Sequence, residues 1–186
     1  MHENRKILLA GIAVAGMITT SAQGESYYVN RSFSQNGNIA TLIGTLDVPL
    51  GNYTIMNKGD SPFTSVNLTL TVNSFSYSMD NAVTGGIFGT GKFLISATPT
   101  SLTFGTADAN GFNQANLYFI ETPSGGATYY VIGSDSSPGF ELAFNGATAV
   151  SRRLVFPHLF GLVVPEPSTF ALLVLGSAFI VRRRHA

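Results

Sequence analysis

The stretch Ser65 to Val72 alternates without exception: Val66, Leu68, Leu70 and Val72 fall on one side, and Asn67, Thr69 and Thr71 on the other. A period of two marks a strand with one face on a core and the other in water; a helix repeats every 3.6 residues and cannot satisfy it. The phase then reverses, because Phe75, Tyr77 and Met79 are odd-numbered, so Asn73-Ser74 is read as a bulge or bend. Further strands are expected at Tyr27–Phe33, Ile39–Asp47, Tyr53–Met56, Lys92–Ala97, Ser101–Gly105, Ala115–Glu121, Thr128–Ile132, Phe140–Phe144 and Val150–Phe156. Turn-forming clusters separate them, among them Gln35-Asn36-Gly37-Asn38, Lys58-Gly59-Asp60, Asp108-Ala109-Asn110-Gly111 and Pro123-Ser124-Gly125-Gly126. Nothing between the two chain ends sustains a helical period. Roughly ten short strands at this spacing predict one all-β domain, an antiparallel β-sandwich or jelly-roll-like fold.

The ends read differently. Arg5 and Lys6 precede an apolar run, Ile7 to Ile18, and then the small and polar residues TTSAQG. This is the layout of a secretory signal peptide over residues 1–24, with cleavage after Ala22 or Gly24; an uncleaved anchor is the rival reading. The domain is expected over residues 25–158, a linker over 159–163, and a separate tail over 164–186. In that tail, Val164-Pro165-Glu166-Pro167-Ser168 is a hinge, since two prolines flanking a glutamate fit neither a helix interior nor a central strand. Ser168 or Thr169 then offers an N-cap for a short helix over residues 169–181. Its apolar run is Phe170, Ala171, Leu172, Leu173, Val174, Leu175, Gly176, Ser177, Ala178, Phe179, Ile180 and Val181. Arg182, Arg183 and Arg184 form a basic stop within residues 182–186. Twelve residues make a helix of about 18 Å against a hydrocarbon core of about 30 Å, a length that suits a transient span better than a permanent one. Basic residues stay on the cytoplasmic side, so both chain ends lie in the cytoplasm and everything between them outside the inner membrane.

Part by part, this tail resembles the PEP-CTERM sorting signal of exported bacterial proteins. The resemblance covers roughly the last eighth of the chain: Val164-Pro165-Glu166-Pro167-Ser168, the short apolar segment and the terminal arginines. It implies an exported precursor, met in the inner membrane by an exosortase-type membrane protease, cut near Pro165–Pro167, and released or passed to the cell surface. It further implies a Gram-negative, exopolysaccharide-associated setting. Ala97 to Phe119 (ATPTSLTFGTADANGFNQANLYF) is also similar, in composition, to the body of many such proteins, a similarity that implies no activity.

Composition narrows the chemistry of the exported part. Between Glu25 and Val164 there are five basic and eight acidic residues, a net charge of about −3, which argues against a nucleic-acid partner. The chain has no cysteine, so disulfides, thiolate metal sites and cysteine nucleophiles are excluded. His158 is the single histidine of this part, too few for a zinc site and poorly placed for a Ser-His-Asp system. Gly86-Ile87-Phe88-Gly89-Thr90-Gly91-Lys92 fits the outline of a phosphate-binding loop. However, Phe93 stands where Ser or Thr would hold magnesium and no helix follows, so a glycine-rich hairpin is the better reading. Glu121 and Glu141 are the carboxylates a glycan hydrolase would need to pair. Asp108-Ala109-Asn110-Gly111, and Asp80-Asn81 near Thr84, carry oxygen ligands without the regular spacing of a calcium loop. Tyr27, Tyr28, Tyr118, Tyr129 and Tyr130 are the rings available for stacking on sugars, although adjacent tyrosines in a strand point to opposite faces.

These readings converge on a non-enzymatic protein of the cell envelope or extracellular matrix, structural or adhesive, with no cofactor and no metal. Its expected partners are signal peptidase, the exosortase and, in the alternative reading, an exopolysaccharide that the domain binds. A secreted glycan hydrolase is the weaker alternative.

Overall fold

The computed structural model describes residues 24–85, 92–107, 115–122, 127–134 and 139–164. Its first hairpin shows how local chemistry sets the pattern. Asn36 and Gly37 both take positive φ, 53° and 81°, the pairing that a two-residue turn requires. They join β1 (Glu25–Gln35) to β2 (Asn38–Val48), which pair without a shift from Gln35↔Asn38 to Glu25↔Val48. Then follow β3 (Gly51–Ile55), β4 (Ser65–Val72), β5 (Phe75–Met79), β6 (Asn81–Gly85), β7 (Lys92–Ala97), β8 (Ser101–Ala107) and β9 (Ala115–Ile120). The last four are β10 (Tyr129–Ser134), β11 (Gly139–Phe144), β12 (Ala149–Leu154) and β13 (His158–Val163).

The strands form two antiparallel sheets. One has eight strands in the order β3-β7-β8-β13-β1-β2-β4-β5, and the other has five in the order β12-β11-β10-β9-β6. The alternating residues that face inward make one core shared by both: Tyr27, Val29, Leu42, Leu70, Phe93, Phe104 and Phe160 from the larger sheet, Leu117, Phe119, Tyr130 and Ile132 from the smaller. At its centre Phe160 stacks on Phe104 at 4.3 Å and on Phe119 at 5.7 Å, so one ring from β13 ties the two sheets together. Each such side chain contributes about 1.5–3 kcal/mol by leaving water. The two-sheet all-β architecture agrees with the sandwich expectation. The helices expected over residues 1–24 and 169–181 lie outside the described residues.

Four expectations change. Asn73-Ser74 is a hairpin turn, not a bulge: Val72 pairs with Phe75, and the phase reverses because the chain reverses. Asn73 adopts φ 56° and ties this turn to the first hairpin, its Oδ1 accepting from the Ile39 N–H at 3.0 Å and its Nδ2 donating to Asn38 at 3.0 Å. Second, Asn81–Gly85 is a strand, β6, which the sequence pattern did not mark. Third, β6 and β7 belong to different sheets, so the glycine-rich stretch between them is a crossover rather than a hairpin loop; residues 86–91 themselves lie outside the described residues. Fourth, the domain does not end at residue 158 and residues 159–163 are not a linker. Strand β13 lies between β8 and β1, with Leu159 opposite Thr103 and Val163 opposite Tyr27. A register shift between Leu159 and Gly161 breaks its alternation, which is why the segment does not read as a strand.

Candidate functional site

The alternation of β1 turns Arg31 inward along with Tyr27, Val29 and Phe33, and Arg31 is buried. Opposite it, the alternation of β11 turns Glu141 inward between Gly139 and Ala143, and Glu141 is fully buried. Arg31 donates from Nε (3.0 Å) and Nη2 (2.8 Å) to Glu141 Oε2. The Tyr130 hydroxyl from β10 donates to the same oxygen, and Arg152 Nε from β12 donates to Oε1. Arg31 Nη1 lies 2.7 Å from His158 Nε2 and also donates to the Leu159 carbonyl at 3.1 Å. A guanidinium has only donors, so Nε2 is the acceptor and the ring proton sits on Nδ1, beside the Val155 backbone. Aromatic faces complete the enclosure: Phe160 lies 5.4 Å from the Arg31 guanidinium carbon, and Phe33 lies 5.4 Å from that of Arg152.

Two cations thus share one carboxylate between the sheets, and the imbalance is felt nearby. Burial, then the Arg31 charge, push the His158 pKa below its usual 6.5; Glu141 opposes and Arg152 adds to the shift. Burial, then the Glu141 charge, push the Tyr130 phenol well above its usual 10.0. Glu141 Oε2 accepts from three donors and Oε1 from Arg152, so this buried carboxylate is held by charge-assisted hydrogen bonds from both sides. His158 Nε2 is likewise occupied by a cation. The arrangement is suited to fixing how the sheets face each other: Arg31 and His158 come from the larger sheet, Glu141, Tyr130 and Arg152 from the smaller.

The other residues that the sequence singled out are scattered. Tyr27 and Tyr130 are buried, Tyr28 is exposed on the larger sheet, and Tyr118 and Tyr129 meet edge to face at 5.7 Å on the smaller one. Glu121 is half-buried just past β9. Asp80 Oδ1 accepts from the Thr122 N–H at 2.6 Å, while the Thr84 hydroxyl faces the carbonyls of Asn57 and Asp60, so these two groups serve different loops. Asp108–Gly111 lies outside the described residues. The buried ionic cluster was missed, yet its sequence signal exists: Arg31, Glu141 and Arg152 are charged residues standing at positions where the alternation calls for core.

The end of β13 lies beside the start of β1. Tyr27 pairs with Val163, and the Val164 N–H donates to the Ser26 carbonyl at 2.8 Å, extending the ladder by one residue. Pro165, Glu166, Pro167, Ser168, the apolar run from Phe170 and Arg182–Arg184 lie outside the described residues. No curated protein and no solved structure matches the chain. One family model does, over residues 163–184, and it describes the PEP-CTERM protein-sorting motif. Beginning on the last residue of β13, the chain therefore carries the PEP-CTERM motif of an exported protein sorted by an exosortase and processed at the membrane.

Proposed function

We propose that this chain delivers a non-enzymatic β-domain to the cell envelope or extracellular matrix, where the domain has a structural or adhesive role. The observation that carries the reading is the motif at residues 163–184, which starts where the last strand stops. Signal peptidase removes the segment up to Ala22 or Gly24. The apolar run Phe170–Val181 and the stop Arg182–Arg184 hold the precursor in the inner membrane with the domain outside. An exosortase-type protease then cuts near Pro165–Pro167, and the domain passes to the cell surface or beyond. The non-enzymatic part of the reading is supported by the state of Glu141 and His158, whose reactive atoms are engaged by the two arginines and Tyr130.

Intact-mass measurement on protein recovered from its producing cells tests the proposal. The expected species lacks both end segments and has its C-terminus at or beyond Val164. Recovery of the full 186-residue mass as the stable species overturns it.

A further inference from the structure

The outward face of the eight-stranded sheet carries two grooves, the second reaching in to Arg31 and Phe160 of the buried cluster. One, of about 300 Å³, crosses β3, β7 and β8 and is lined by Leu94 and Pro157 together with Asn52, Thr54, Ser96 and Thr103. The other, of about 370 Å³, lies across β13 and β1 among Tyr28, Asn30, Leu159 and Leu162, and reaches Arg31, whose charge is already paired with Glu141, and Phe160. Each opens over a glycine, Gly105 in the first and Gly161 in the second. Leu159 of the second groove pairs with Thr103 of the first, so the grooves are neighbours on one surface. Their centres are about two strand steps apart, on the order of 10 Å.

Charge is what this face lacks. Alternation points Ser, Thr and Asn residues outward from nearly every strand of the sheet, with Tyr28, Ile43, Leu159 and Leu162 exposed among them. Among its described outward-facing residues only Asp47 and Lys92 are charged, each near a strand end. The whole chain is sparing with charge, 11% against about 25% in a typical soluble domain, and this face shares that character. An anionic polymer would find no cluster of arginines or lysines, and a peptide adding a strand would need a sheet edge rather than this face. An uncharged sugar polymer fits both features: its hydroxyls match side-chain amides and hydroxyls, and its C–H faces match Leu, Pro and Tyr.

We propose that this face binds a neutral polysaccharide, with the two grooves holding successive parts of one chain. The proposal deepens the matrix reading above and rests on it only for where the polymer is met. The test uses the full-length chain in detergent, run in native gels cast with neutral glucan, mannan, galactan or xylan, and with alginate as an anionic comparator. Gly105→Val fills the first groove at a position where an added Cβ would lie 3.7 Å from Leu94 Cβ, an ordinary contact. Leu162→Lys charges the second at a side chain that is already exposed. The expected result is retardation by at least one neutral polymer, weakened at least tenfold in apparent affinity by each substitution, with unchanged melting temperature. Val155→Ser, exposed and away from both grooves, keeps full retardation. Four results overturn the proposal: no retardation by any neutral polymer, retardation by alginate only, retardation unaffected in the double variant, or a dimer that the groove variants dissolve. Failure here leaves the processed mass in cells unchanged, so it is distinguishable from failure of the sorting reading.

Discussion

At the level of single residues, the strongest commitments are made around Glu141. Its carboxylate answers two guanidiniums, and Arg31 is buried beside it. Glu141→Gln keeps the shape and an acceptor oxygen but leaves both cations without a counter-charge. Breaking a buried pair in this way costs about 3–5 kcal/mol, whereas replacing a whole ionic group with apolar residues of similar volume is often neutral. In urea unfolding, Glu141→Gln is therefore expected to lose about that amount, and the triple change Arg31→Met, Glu141→Leu, Arg152→Met to lose less than the single one. A single-variant loss below about 0.5 kcal/mol would mean that the cluster does not hold the sheets. His158 adds a pH dependence whose sign follows from its environment. The folded domain favours neutral His158, so its pKa is lowered and the unfolded chain binds more protons in the window between the two values. Stability from this group is complete above 6.5 and declines as the pH falls from there through the lowered folded value. The groups facing it are Arg31, Arg152, Glu141 and the Val155 backbone. Melting temperatures of His158→Gln and the parent, compared between pH 7.5 and pH 5, should converge or cross as the pH drops; parallel curves would remove the titration claim.

Among the elements, β13 has the largest consequence. Phe160 is at the centre of the core, and truncating a buried Phe costs about 3–5 kcal/mol, so Phe160→Ala should lower the unfolding midpoint accordingly. Ending the chain after residue 164 is expected to leave a cooperative unfolding transition. Ending it after residue 157 removes the strand between β8 and β1 and should abolish that transition; a 157-residue chain that still melts cooperatively would restore the linker reading. The contrast also shows what was legible. Strands such as β4, with perfect alternation, or β1–β2, joined by Asn36-Gly37, could be read from local pattern alone. Strand β13 could not, because a bulge and Gly161 scramble its phase, and β6 could not, because five residues ending in glycine carry too little pattern. The ionic cluster was legible by half: alternation says that Arg31 faces inward, but no local rule says that its partner waits 110 positions away.

For the whole molecule, the pairing of β1 with β13 decides how the domain sits while its ends are still attached. Glu25 begins the first strand, Val163 ends the last, and the two strands are neighbours, so both outer segments leave from the same end of one sheet. Only residues 165–169 separate Val164 from the apolar run, a reach of about 18 Å when fully extended. On the proposed reading, with that run in the membrane, the folded domain would be held close against the outer surface, and the protease would work in this narrow gap or recognise the motif regardless of it. Two variants expressed in the producing cells separate these possibilities. Replacing Pro165-Glu166-Pro167 with alanines removes the motif but keeps the spacing; unprocessed precursor is expected in the inner-membrane fraction. Inserting about twenty Gly/Ser residues between Val164 and Pro165 widens the gap by tens of ångströms at most and keeps the motif. Processing is expected to continue, with the released domain heavier by the mass of the insert. If the alanine variant is processed normally, Pro165–Pro167 is not what the protease reads. If the spacer alone blocks processing, the close approach of the folded domain is part of recognition, and the last rung of the ladder, Val164 to Ser26, becomes part of the sorting signal.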